Sequence, residues 1–165
     1  MKSWYLIQTK VRQERLAKEN LQRQGYEIYL PLSISRRRKR GKSVNVVGPM
    51  FPRYLFINLS DVTDDWRPIR STIGVTKLVT FGQIPARVPG SLIKDLRERE
   101  DDQGIQIIKI PQHKPGDKVR IAEGPMEGYE GIFQCHTGKE RVVILLAVAQ
   151  KFVKIELQPG QIETV

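Results

Sequence analysis

The sequence predicts an α+β fold: an antiparallel sheet flanked by helices in the first hundred residues, then a small β-rich unit. Three observations predict it. Strand and helix patterns interleave up to residue 100 in the order β-α-β-β-β-α-β-α. From residue 114 the pattern changes to short apolar runs separated by Gly/Pro turns. Charge divides at the same place: residues 1–100 carry 20 Lys and Arg against 9 Asp and Glu, and residues 101–165 carry 8 against 9.

Ser3–Thr9 reads as a strand, with Trp4, Tyr5, Leu6 and Ile7 in succession. Lys10–Gln24 is rich in helix formers, carries a stripe at Leu16, Ala17 and Leu21, and stops at Gly25. Tyr26–Leu30 is a second strand, ended by Pro31. Apolar segments on either side of Arg36-Arg37-Arg38-Lys39-Arg40-Gly41-Lys42 predict a hairpin whose turn carries the charge. Gly48-Pro49-Met50-Phe51-Pro52 reads as a rigid connector. In the strand Tyr54–Leu59, alternation puts Tyr54, Phe56 and Asn58 on one face and Leu55, Ile57 and Leu59 on the other. A short helix over Asp64–Ser71, a strand over Val75–Phe81 and a helix opened by Pro89-Gly90-Ser91, with Leu92, Ile93 and Leu96 on one side, complete the first unit. Residues 101–113 read as a linker, part of which is able to pair as an edge strand. Residues 114–165 read as five short strands of a β-barrel that is marginal on its own. The domains are thus 1–100, 101–113 and 114–165.

Composition narrows the function. A chain of 165 residues with 39% hydrophobic and 28% charged residues has a globular balance. The net charge of +10, concentrated in the first unit, points to a polyanion, foremost nucleic acid. No apolar run is long enough to span a membrane. The opening residues lack a cleavage-site pattern, and the single cysteine, Cys135, fits a reducing, cytoplasmic setting. One Cys with His113 and His136 makes no zinc site of known spacing, so neither metal nor cofactor is expected. In a strand, Cys135 and His136 point to opposite faces and form no dyad. With no GxSxG, HExxH or P-loop pattern, no enzyme is expected.

Two stretches carry a family resemblance. Gly48-Pro49-Met50-Phe51-Pro52-Arg53-Tyr54-Leu55-Phe56 resembles the N-terminal (NGN) domain of the NusG family. Pro115-Gly116-Asp117-Lys118-Val119-Arg120-Ile121, with Glu123-Gly124-Pro125 and Gly131-Ile132, resembles a KOW motif. Ser3-Trp4-Tyr5-Leu6, Arg40-Gly41-Lys42, Gly74-Val75 and Phe81-Gly82 are similar to the specialised RfaH branch of that family.

The resemblance implies a monomeric elongation and antitermination factor that binds RNA polymerase, suppresses pausing and termination, and couples transcription to translation. It implies that Tyr54, Phe56, Phe51, Ile93 and Leu96 grip the clamp helices of the polymerase's largest subunit. Lys10 and Gln13, and more weakly Thr72, match a contact to the non-template DNA strand; Arg12, Arg15 and Arg70 sit close by and would compensate for basic positions this sequence lacks. The KOW domain would recruit a small-subunit ribosomal protein. The alternatives are a general NusG-type factor that also binds Rho, and a ribosome-associated KOW protein that binds RNA.

The sequence also departs from the RfaH pattern. Leu16, Asn20 and Ile73 stand where that branch has basic residues of the DNA surface. Asp65-Trp66-Arg67-Pro68 replaces the polymerase gate-loop contact, leaving Trp66 as core or as a substitute contact. That branch stores its last domain as a helical hairpin over the polymerase-binding face. Ile132, Phe133, Leu145 and Leu146 match the residues that would cover it. Arg141 remains from the pair that ties the domains, but Gly48 replaces its acidic partner. Leu145, Leu146 and Ala147 are helix formers, whereas Val142, Val143 and Ile144 favour strands. The balance, with Gly131 as a barrel turn, favours a barrel in the free protein.

If the run Arg36, Arg37, Arg38, Lys39 and Arg40, with Lys42, meets about five phosphates of a single strand, the log–log salt dependence of DNA binding has a slope of about −3.5. A filter-binding titration across salt concentrations measures it, and a slope near zero refutes the contact.

Overall fold

A computed structural model describes residues 2–106, 129–135 and 137–164, with side chains omitted at 35–39 and 156–164. The strand at the N-terminus, β1 (Lys2–Thr9), lies at the centre of the main sheet. It pairs antiparallel along its length with β5 (Tyr54–Ser60), placing Leu6 opposite Phe56 and Ile7 opposite Leu55. The other edge of β1 takes β6 (Val75–Leu78) at one end and the two-residue β9 (Arg87–Val88) at the other. The short β2 (Glu27–Tyr29) adds outside β5.

The basic hairpin forms as its sequence predicts. β3 (Leu32–Lys39) and β4 (Lys42–Pro49) pair in register from Leu32–Pro49 to Lys39–Lys42. Arg40 and Gly41 at its tip both have positive φ, the geometry of a tight hairpin turn. The expected edge pairing beyond residue 100 also occurs: β10 (Ile105–Gln106) joins β3 in parallel.

Each face of the sheet has its own apolar cluster, because alternate residues of β1 and β5 point to opposite sides. Tyr5, Ile7, Leu55, Ile57 and Leu59 pack with Ala17 and Leu21 of α1 (Glu14–Arg23) and Ile69 of α2 (Arg67–Arg70). Leu6 and Phe56 look the other way, towards Leu92, Ile93 and Leu96 of α3 (Gly90–Glu98).

Several helices and strands are shorter than their patterns suggest, each for a local reason. α1 begins four residues late, since Arg12 at φ 61° closes a turn in which Gln13 N–H donates to Lys10 O at 3.0 Å. The helix expected over Asp64–Ser71 shrinks to α2. Asp64 Oδ2 accepts from Ser60 N–H at 2.7 Å and Asp65 Oδ1 from Arg67 N–H at 3.0 Å, so both carboxylates stabilise turns. The strand over Val75–Phe81 breaks after Leu78. Thr80–Phe81 (β7) turns back against Ile84–Pro85 (β8).

The C-terminal region is the main correction. Gly131-Ile132-Phe133 and Val142–Ala149 read as barrel strands, but they form helices α4 (Tyr129–Phe133) and α5 (Gly138–Thr164). The continuous apolar run Val142–Ala149 satisfies either period. What decides is that Arg141, Leu145, Ala149 and Val153, spaced by four, make one buried stripe on a helix. Gly131 is a buried helical residue and not a barrel turn. Thr137 Oγ1 accepts from Glu140 N–H at 3.1 Å, a serine/threonine-type cap just ahead of α5. The stretch that resembles a KOW motif, Pro115–Pro125, together with His113 and His136 and most of the expected linker, lies outside the described residues.

Gly74 joins the loop after α2 to the sheet at φ +97°, and a Cβ there would stand 2.8 Å from the backbone nitrogen of Ala17. Gly74→Ala is therefore expected to cost more than about 1 kcal/mol. A thermal melt should show a fall of several degrees in Tm, and an unchanged Tm contradicts the packing.

Candidate functional site

All five residues nominated for partner docking fall on one face. Phe51, Phe56, Ile93 and Leu96 are buried in one cluster, and the half-buried Tyr54 packs against it. Phe56 sits edge-on to Phe51 at a centroid distance of 5.8 Å and stacks on Tyr29 at 6.0 Å. It is thus part of the structural core as well as of the face. Gln8 Nε2 donates to the Tyr54 hydroxyl at 3.3 Å, fixing that ring at the rim.

The chain's own C-terminal helices lie on this face. Tyr129, Ile132 and Phe133 of α4 and Leu145 and Ala149 of α5 belong to the same cluster; Leu146 is half-buried beside them. Burying large apolar side chains is worth roughly 1.5–3 kcal/mol each before ordering costs.

Polar contacts ring that apolar centre. Ser91 Oγ and the Tyr129 hydroxyl are 2.8 Å apart. Arg99 pairs with Glu130 at 2.8 Å while its guanidinium lies 3.8 Å from the centroid of the Phe133 ring. These partners were missed in the sequence, because Arg99 and Glu130 are ordinary surface residues until the helices bring them together.

Arg141 is the deepest of the polar contacts, at 5% exposure. Its Nε donates to Met50 O at 2.8 Å, Nη1 to Cys135 O at 3.3 Å and Nη2 to Ser33 Oγ at 3.5 Å. Burial pulls its pKa below the usual arginine value, while Cys135 and Glu140 act in the other direction. Burial likewise raises the pKa of the Cys135 thiol, whose Sγ lies 3.1 Å from Gly131 O. Close approach completes the joint: a Cβ on Gly138 would lie 2.5 Å from the ring of Pro52.

The residues nominated for nucleic acid divide. Lys10, Arg12, Arg15 and Arg70 are exposed around the start of α1 and the α2 loop, with Gln13 half-buried between them. Lys10 N–H donates to Gly74 O at 2.9 Å, tying those two segments together. Val11, Leu16 and Ile73 are exposed large apolar residues in the same segments. Thr72 does not belong with them. It is buried, its hydroxyl donating to Pro68 O at 2.9 Å and accepting from Gln24 Nε2 at 2.8 Å, so it anchors the loop. Arg40 is exposed at the hairpin tip; the side chains of Arg36, Arg37, Arg38 and Lys39 lie outside the described residues. Trp66 takes a structural place, edge-on to Tyr5 at 4.7 Å with Nε1 donating to Ser60 O at 2.9 Å.

Leu145 is fully buried between α5 and the sheet face. Leu145→Ala should cost about 2 kcal/mol or more at that joint, which corresponds to at least tenfold faster amide exchange in α5. Exchange in β1 and β5 should change far less; equal acceleration in all three would show that the helices and sheet open together.

A family model described as "Transcription termination factor nusG" matches residues 2–97. The "Transcription termination/antitermination protein NusG" of Rickettsia conorii is 22% identical, the match covering 99% of this chain and 90% of that protein. Those of Thermus thermophilus and Staphylococcus aureus are each 25% identical, covering 96% and 98% of this chain and 96% and 95% of those proteins. A solved structure on domain interaction in Thermotoga maritima NusG aligns with a TM-score of 0.45 and 21% identity, over 72% of this chain and 69% of that one. The family match spans the sheet, α1, α2 and nearly all of α3, more than half of the sequence, and the chain belongs to the NusG family.

Proposed function

We propose that this protein is a transcription elongation and antitermination factor of the RfaH type, whose polymerase-binding face is covered by its own C-terminal helices. One observation carries the reading: Tyr54, Phe51, Phe56, Ile93 and Leu96 gather on a single aromatic and aliphatic face, and α4 and α5 occupy it. An apolar face of this kind suits a helical partner laid into it, and the clamp helices of RNA polymerase's largest subunit are the proposed partner. The exposed Lys10, Arg12, Arg15 and Arg70, with the basic hairpin, lie on the N-terminal unit and would meet the non-template strand through its phosphates.

In this reading residues 1–100 bind polymerase and DNA, 101–113 link, and 114–165 act twice. Packed as helices they cover the face; displaced, they are free to recruit a small-subunit ribosomal protein. Binding is then limited by the fraction of molecules with the face uncovered. A general NusG-type factor is the second reading, favoured by the relatives' names, which print termination beside antitermination; on that reading the chain would also engage Rho.

Capture of purified polymerase separates the two. On the first reading the intact chain is captured weakly. Leu145→Ala should strengthen capture at least tenfold, because the roughly 2 kcal/mol or more taken from the cover returns as apparent affinity. Tyr54→Ala, in the Leu145→Ala background, should remove most of that gain. Tyr54 is preferable to Phe56 for this test, since Phe56 also holds the core. Equal capture of the intact chain and Leu145→Ala would refute a covering role for the helices. Capture insensitive to Tyr54→Ala would refute the proposed face.

A further inference from the structure

Beside the covered face, a cleft of about 790 Å³ opens between the N-terminal unit and the start of α5. Its lining includes Arg12, Arg15, Ser33, Gly48, Pro52 and Arg141. That volume is ordinary for a small-molecule site. Its charge balance is unusual. Its described lining includes three arginines and one carboxylate, Glu14, which already accepts from Arg53 N–H at 3.1 Å.

Among the described residues no carboxylate contacts the Arg141 charge: no acidic oxygen lies within ion-pair distance of it, and its three hydrogen bonds run to two carbonyls and a hydroxyl. Glu140 acts on it only through space, its Oε1 lying 3.1 Å from Thr137 Oγ1. A buried cation satisfied only by neutral acceptors is a costly arrangement that an anion would relieve.

The register of β3 and β4 shows where that anion fits. Ser33, which Arg141 touches, lies directly across the ladder from Gly48. Opposed residues of an antiparallel pair project to the same side. Gly48 has no side chain, and nothing stands within 4 Å of where its Cβ would be. The space next to the guanidinium is therefore open on the strand side. It is bordered by the exposed Arg12 and Arg15.

We propose that this cleft binds a small phosphate- or pyrophosphate-bearing ligand, held by Arg141 above Gly48 with Arg12 and Arg15 closing on it. Guanidinium forks match phosphate oxygens in pairs. Because Arg141 belongs to α5 and Arg12, Arg15 and Gly48 to the N-terminal unit, the ligand bridges the two and holds the cover in place. That consequence rests on the covering role proposed above; the binding site itself does not.

Calorimetric titration of the full chain with inorganic pyrophosphate, at ionic strength held constant with chloride, tests it. One ligand per chain is expected. Gly48→Glu supplies the missing carboxylate internally and should weaken pyrophosphate binding at least tenfold while leaving helix content by circular dichroism intact. Arg12→Gln should weaken it less. Val62→Glu makes the same charge change at a loop position 82% exposed and should leave binding unaltered. Absence of binding by the wild type, wild-type affinity in Gly48→Glu, or an equal loss in Val62→Glu would each overturn the site. Failure of polymerase capture would leave this titration unaffected, so the two proposals fall separately.

Discussion

An apolar sheet face needs a cover, and most of this structure follows from that need. β1 and β5 are apolar on both sides. One side is served by α1 and α2 close by in the sequence. The other carries Leu6, Phe56 and the α3 residues, and α3 alone leaves part of it open. Leu145 and Ala149, from the buried stripe Arg141–Leu145–Ala149–Val153, fill that remainder. Its helical form is thus tied to the surface beneath it, since helices gain most of their stability from burying an amphipathic face.

The joint combines an apolar centre with polar contacts of unequal depth. Arg99–Glu130 is part exposed, so its strength falls with salt. Arg141 is different. Its carbonyl partners, Met50 O and Cys135 O, belong to the two sides of the joint, so its hydrogen bonds register the helix against the connector at Met50. Removing the helices would expose the Phe51–Phe56 aromatic cluster, a patch of the composition that partners bind. In the proposed reading, cover and docking site are one physical feature in two states.

The basic surface lies apart from this chemistry. Lys10, Arg12, Arg15 and Arg70 sit on loops and helix ends beside the opposite cluster. A polyanion there need not compete with whatever meets the aromatic face. Of these four, Arg12 and Arg15 border both regions, through the cleft next to α5.

The first unit was legible from sequence because its determinants are local. Alternation in Tyr54–Leu59 assigned both faces of β5 correctly, Gly25 ended α1, and Gly41 marked the hairpin tip. Boundaries slipped where side chains competed for the backbone, as at Asp64 and Asp65. The aromatic face was visible as Tyr54 and Phe56, whereas Thr72 resembled a surface contact until Gln24 and Pro68 claimed its hydroxyl. Residues 129–164 were decided elsewhere. Val142–Ala149 is apolar at every position, so its own pattern fits a strand or a helix equally, and β-branched residues offset helix formers. Only contact with a surface distant in the sequence, on Phe56, Ile93 and Leu96, selects the period of four. A local preference fixed the sheet; a non-local burial chose the helices that cover it.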